Sequence, residues 1–293
     1  MKETNIGKWL KLFLKIAVTV ACLWYVSGKI DFAKAGAALQ KANWFYLLFA
    51  LIAFVISKWV AAIRLNIYFR NIDIHLPAWK NIRLYWLGMF YNLFLPGSIS
   101  GDAYKVILLT KKYGISYKKT TTAVLLDRFS GLLGLGLILA VYGFVVLEND
   151  LYITIIIAGA VLSVLTLYFI IKFWLKEFIP GFLPTLLLGI LVQVSQVICV
   201  YCILLSLHLP IQQSAWIFIF LVAAVITVLP ISFGGGLGTR EFVFREGALF
   251  FLLDPSIAVV ISLLFYLCTL IGSLPALYFV FNDPLTEKNK PSR

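Results

Sequence analysis

Apolar positions in this chain come mostly in unbroken runs, not in strict alternation or in a narrow helical stripe. The runs at 10–28, 44–63, 121–147, 151–172, 185–207 and 257–281 each approach or exceed the roughly 20 apolar residues that a spanning helix needs. Two shorter runs, 84–99 and 216–233, end in similar motifs: Leu95-Pro96-Gly97-Ser98-Ile99-Ser100-Gly101-Asp102 and Leu229-Pro230-Ile231-Ser232-Phe233-Gly234-Gly235-Gly236. Proline removes a backbone donor, and glycine tolerates conformations closed to other residues. A membrane helix is therefore expected to open at Pro96, Gly97, Gly101 and Pro230. Matched Gly/Pro breaks in two halves of a chain point to a transporter's binding site.

Charge decides how the short runs are threaded. If 84–99 enters and leaves by one face, Arg64, Arg70, Lys80 and Arg83 lie on the same side as Lys105, Lys111, Lys112, Lys118 and Lys119. If it crosses, the two basic groups face opposite sides, against the positive-inside tendency. Re-entry is the better choice. The same test favours re-entry for 216–233, which leaves the net-acidic segment after it outside and the net-basic tail inside. Both termini and the loop 101–120 are then cytoplasmic, and 234–256 is external. Lys29, Lys34 and Lys41 in an outer loop run mildly against this scheme. The expected fold is an all-α integral membrane protein: one polytopic domain over 1–293, with about six full spans and two re-entrant helix pairs. Its halves, about 44–147 and 185–281, form an inverted repeat, and the span at 151–172 reverses the second half.

Composition agrees with this pattern. Hydrophobic residues make up 62% and charged residues 13%, whereas soluble domains are about 45–50% apolar and about 25% charged. The net charge of +12 fits cytoplasmic loops better than nucleic-acid binding, so no nucleic-acid partner is expected. Cys22, Cys199, Cys202 and Cys268 all sit inside apolar runs. Cys199-x-x-Cys202 has redox or zinc-like spacing but no second pair or histidine beside it, so packing is the favoured reading. The N-terminal run is expected to be a retained span, because no clear small-residue cleavage site follows it.

At three places the chain resembles a known family, the transmembrane region of lysylphosphatidylglycerol synthase/flippase proteins and its stand-alone flippase-like relatives. These are Leu95-Pro96 to Gly101-Asp102, Leu125-Leu126-Asp127-Arg128, and Leu229-Pro230 through Gly234-Gly235-Gly236-Leu237-Gly238-Thr239-Arg240-Glu241. The resemblance covers roughly residues 10–281 and implies a membrane domain that moves, or helps move, a lipid between leaflets. Fused family members carry a soluble aminoacylating domain. This chain ends at Arg293, so aminoacyl transfer is not expected, and the family's varied substrates leave the headgroup open.

Arg128 is the sharpest single candidate. It lies about eight residues into an apolar run, where charge is expensive and usually faces a partner or a wet cavity. It could hold a lipid phosphate by a forked hydrogen bond, pair with an acid on another helix, or snorkel to the surface. Asp127 is a poor partner for it, since adjacent residues point about 100° apart on a helix. Gly234, Gly235, Gly236 and Gly238 could offer backbone N–H groups to an anion, with a helix starting near Thr239, or could merely permit a reversal. Arg240 and Glu241 carry the family resemblance, and Asp102 and Lys105 occupy the mirrored position. Arg245 and Glu246 fit a solvated helix face. Gln193, Ser195 and Gln196 bond between helices or line a cavity. Lys58 is expected to snorkel. His75 and His208 are isolated, and no metal or cofactor site is expected.

No nucleotide loop or catalytic constellation is present in the sequence, so a transporter is expected rather than an enzyme, in the plasma (inner) membrane. Its partner is a membrane lipid with an anionic phosphate headgroup, with a homo-oligomer possible. Transport is then facilitated, or driven by membrane potential or an ion gradient. The alternatives are a solute or ion transporter of the same architecture and a non-transporting subunit that assists a cell-envelope glycolipid enzyme.

Overall fold

The computed structural model describes residues 42–94, 99–228 and 238–286, with Ala37 and Gln40, and the regular elements among them are helices. In chain order these are α1 (Trp44–Arg70), α2 (Ala78–Phe94), α3 (Ser100–Tyr113), α4 (Tyr117–Val146), α5 (Asp150–Trp174) and α6 (Ile179–Ser206). They continue with α7 (Ala215–Val228), α8 (Thr239–Phe250), α9 (Pro255–Ser273) and α10 (Leu277–Phe281). A 3-10 turn, Lys176–Phe178, leads into α6, and another, Leu274–Ala276, joins α9 to α10.

Five stretches are long and apolar enough to cross a bilayer: Trp44–Arg70, Tyr117–Val146, Asp150–Trp174, Lys176–Ser206 and Pro255–Phe281. They match five of the six expected spans. The sixth, at 10–28, lies outside the described residues. So do Pro96, Gly97, Pro230, Gly234, Gly235 and Gly236. Side-chain caps set where several helices begin. Asn43 Oδ1 accepts from Phe45 N (3.0 Å) before α1, Asn149 Oδ1 from Leu151 N (2.9 Å) before α5, and Asp254 Oδ1 from Ser256 N (2.7 Å) before α9. Pro255 stands at the first position of α9, where its missing N–H costs nothing.

Two expectations need correction. The run 44–63 continues as helix to Arg70, because its polar residues turn inward and find partners. Asn66 Nδ2 donates to Leu76 O (3.1 Å), and the Tyr68 and Thr185 hydroxyls bond each other (2.7 Å). The segment expected as a loop, 101–120, is mostly helix α3. It has Asp102 in its first turn and Lys111 and Lys112 in its last, matching the helix dipole at both ends. It buries Val106 and Leu109 and stops at Gly114, whose left-handed φ of 69° suits glycine.

The helix order repeats, long–short–short–long, on either side of α5. α2 folds back on α3, with Gly88 against Gly101, and α7 folds back on α8, with Ile219 against Gly247. The packing repeats as well. Where α1 meets α4, α6 meets α9; where α4 meets α6 and α7, α9 meets α1 and α2; α1 and α6 form the broadest contact. Glycines allow the closest approach. A Cβ on Gly189 of α6 would sit 2.5 Å from Ser130 O of α4, and one on Gly134 would run into the Gly189 backbone. The outward faces stay apolar: Leu151, Ile155, Leu162, Phe169 and Trp174 on α5 are all exposed. In water such a surface would be a liability, but in a bilayer it is solvent-matched.

Candidate substrate site

Three helices bring charge, and a fourth brings neutral amides, to one place inside the apolar bundle. α1 supplies Lys58 and Arg64, α3 supplies Asp102 and Lys105, α4 supplies Asp127 and Arg128, and α6 supplies Gln193 and Gln196. Together with Tyr85 and Asn92 of α2 they line a cavity of about 290 Å³. Only 4% of Arg64 and 6% of Asp127 are exposed, and Arg64 Nε donates to Asp127 Oδ1 at 2.8 Å. Burying two charges is expensive, and a short hydrogen-bonded pair is the usual way to offset it. Asp102 sits between two cations. Lys105 Nζ donates to its Oδ1 at 2.9 Å, and Arg128 Nε donates to its Oδ2. Burial opposes charge on Asp102, but Lys105 and Arg128 outweigh it and hold its carboxyl below its ordinary value.

Local sequence explains why these groups can meet. The end of α2 is tied to the start of α3 by Asn92 Oδ1, which accepts from Gly101 N at 2.8 Å. Gly88 leaves the volume that the Lys105 stem fills, since a Cβ there would overlap Lys105 Cε, and the Lys105 ammonium lies 4.6 Å from the Tyr85 ring centre. Gly131 clears space for the Arg64 guanidinium, whose Nη1 would be 2.9 Å from a Cβ at that position. Lys58 does not snorkel as expected. It lies midway along α1, it lines the cavity, and its ammonium stands 4.6 Å from the Phe54 ring centre. Arg64 Nη1 and Gln193 Oε1 are buried with no hydrogen-bond partner among the described residues. Buried polar groups of that kind call for an explanation.

Asp102, Lys105, Asp127 and Arg128, named from sequence, therefore share one cavity. Arg128 pairs with Asp102, 26 residues away, and its neighbour Asp127 pairs with Arg64, as expected from their divergence on the helix. Arg240 and Glu241 do not line this cavity. Arg240 is buried in α8 with its guanidinium 5.0 Å from the Phe265 ring centre, and its charge repels that of Lys58. Glu241 Oε1 accepts from the Ser262 hydroxyl (3.2 Å), and its Oε2 accepts from Gly238 N (2.5 Å), closing the start of α8. Gly238, with φ 84°, serves that turn. Gly101 packs against Gly88. Ser195 bonds back to Leu191 O, while Gln193 and Gln196 face the cavity. Cys199 lies beside Cys268 of α9 as well as near Cys202, and the described residues hold no group of three potential metal ligands.

Lys58 and Arg64 are the site residues that sequence reasoning missed. Both interrupt an apolar run, as Arg128 does, and that interruption was the available signal. A larger recess of about 820 Å³, between α4 and α5, is lined mainly by apolar groups such as Leu125, Phe129, Gly136 and Ile155. It lacks the convergent polar groups that fix a ligand's orientation.

Long apolar helices around a charged cavity define a multi-pass α-helical membrane protein. The model of the lysylphosphatidylglycerol synthase transmembrane region matches residues 12–180, and the chain belongs to that family. It is also similar to the UPF0104 membrane protein PH1989 of Pyrococcus horikoshii, at 24% identity over 174 residues, which cover 58% of this chain and 51% of that protein. The chain spans about half the length of the curated relative it matches.

Proposed function

We propose that this protein moves a lipid with an anionic phosphate headgroup between the leaflets of the plasma membrane. The observation that carries this reading is the cavity formed by Lys58, Arg64, Lys105 and Arg128 inside an otherwise apolar bundle. A lipid can leave its tails in the bilayer while the protein shields only the headgroup. Guanidinium and ammonium groups replace the phosphate's lost hydration with charge-assisted hydrogen bonds. The two helix hairpins, α2–α3 and α7–α8, then act as re-entrant elements from opposite faces, the arrangement by which inverted repeats expose one site alternately. In this reading both termini are cytoplasmic, and no covalent bond is made or broken.

Proteoliposomes carrying fluorescent phospholipids or isoprenoid phosphates test it, with leaflet exposure followed by a membrane-impermeant quencher. Anionic lipids are expected to cross faster than in protein-free vesicles. If none does while a water-soluble solute accumulates, the lipid reading fails and solute transport replaces it. Cysteine labelling tests the threading: a cysteine at Lys112 is expected to react only from the cytoplasmic side.

A further inference from the structure

The charges that line the cavity do not cancel. Lys58, Arg64, Lys105 and Arg128 face two carboxylates, Asp102 and Asp127. One carboxylate serves Arg64, the other is shared by Lys105 and Arg128, and among the described residues Lys58 has only the Phe54 ring. Two positive charges are left over among the described residues. The breaks at 95–98 and 229–237 contain no ionisable residue, so they do not alter this count. Buried net charge is costly in a low-dielectric interior, and an occupant of opposite charge relieves it. The unused donors point the same way. Arg64, only 4% exposed, keeps Nη1 without a hydrogen-bond partner, and the Lys58 ammonium donates to nothing among the described residues.

We infer that the cavity takes a doubly charged terminal phosphate, so that the lipid it serves is a phosphomonoester rather than a phosphodiester. The inference rests on the lipid-handling reading above and narrows its substrate class. Lys58 and Arg64 Nη1 bind the third terminal oxygen, the charged acceptor that a diester lacks. A diester such as phosphatidylglycerol brings one negative charge and leaves one cation of the cavity unmatched. A monoester brings nearly two above its second pKa of about 6.

The experiment compares lipids that differ in that one charge. Binding of phosphatidate and of phosphatidylmethanol, its methyl diester, is measured on the purified full chain in nanodiscs at pH 7. Polyprenyl phosphate and its methyl ester form a second pair, and inorganic phosphate is the tail-less arm. The monoester of each pair is expected to bind about tenfold tighter or better, the scale of one added charge-assisted contact. Lys58→Gln is expected to weaken monoester binding more than diester binding, shrinking that preference to about threefold, and Lys58→Arg to keep it. A tighter polyprenyl than glycerolipid monoester would identify the tail. Equal affinity for monoester and diester in the unaltered protein overturns the inference and leaves the lipid reading standing. So does a Lys58→Gln loss that is the same for both. Binding of inorganic phosphate as tight as phosphatidate would make this a free-phosphate site. Absence of binding by every lipid sinks the inference and the lipid reading together.

Discussion

The two halves share an arrangement of helices but not the chemistry at their joints. Where α1 meets α4, the buried contact is an ion pair, Arg64 with Asp127. Where α6 meets α9, the corresponding junction holds two thiols, Cys199 beside Cys268. The first hairpin places Asp102 between Lys105 and Arg128. The second places Glu241, also third in its helix, on a serine hydroxyl and a backbone N–H. A shared architecture can therefore confine the charged groups that line its cavity to one half. The second half's contribution to the cavity is neutral, from Gln193, Gln196 and Val228 among others.

The sharpest way to break this comparison is to remove one member of the buried pair. Asp127→Leu leaves the Arg64 charge without its carboxylate and is expected to cost about 3–5 kcal/mol. Thermal unfolding in mild detergent should show a large fall in Tm, while Cys199→Ala, at the matching joint, should cost about 1 kcal/mol. Equal losses would mean that the two joints are energetically alike. The double variant Arg64→Leu/Asp127→Leu should recover much of the stability, since no lone charge remains, yet should lose lipid movement.

The next effect concerns the α4–α6 seam. Gly189→Leu pushes a side chain into Ser130 O and is expected to cost about 1–3 kcal/mol or more. Gly136, with open space around it, should accept alanine with little change. A Gly189→Leu variant as stable as the original would remove the close approach from the account of this fold.

Function should follow the same asymmetry. Arg128→Gln is expected to slow lipid movement about tenfold with the protein still in the membrane, and Arg128→Lys to recover only part, lacking the planar fork. Arg240→Gln, outside the cavity, should reduce the rate less. A reversed order would shift the site to the second hairpin. The smallest effect belongs to Glu241→Gln, which weakens the start of α8 by about 1 kcal/mol. Hydrogen exchange confined to the first turn of that helix would report it.

Sequence made the spans legible because length and apolarity are local properties. The joints were not. Nothing near Arg64 announces a carboxylate 63 residues on, so a charged residue in an apolar run read as the end of a span. Lys58 read as a snorkelling side chain because the cavity that receives it is assembled from six separate helices. Asp127 and Arg128 were found because two charges side by side within an apolar run are conspicuous on their own. The small residues at Gly88 and Gly131 drew no notice, since their meaning lies in the Lys105 and Arg64 side chains laid across them.

α5 carries the highest mean hydropathy of the five spanning stretches, yet its most apolar window has no residue buried inside the protein. Its outer face answers to lipid rather than to any particular neighbour, and lipid does not distinguish isoleucine from leucine or valine. Substitutions there are close to interchangeable as long as they stay apolar. The segment that most clearly marks the chain as a membrane protein therefore holds the least information about which one it is.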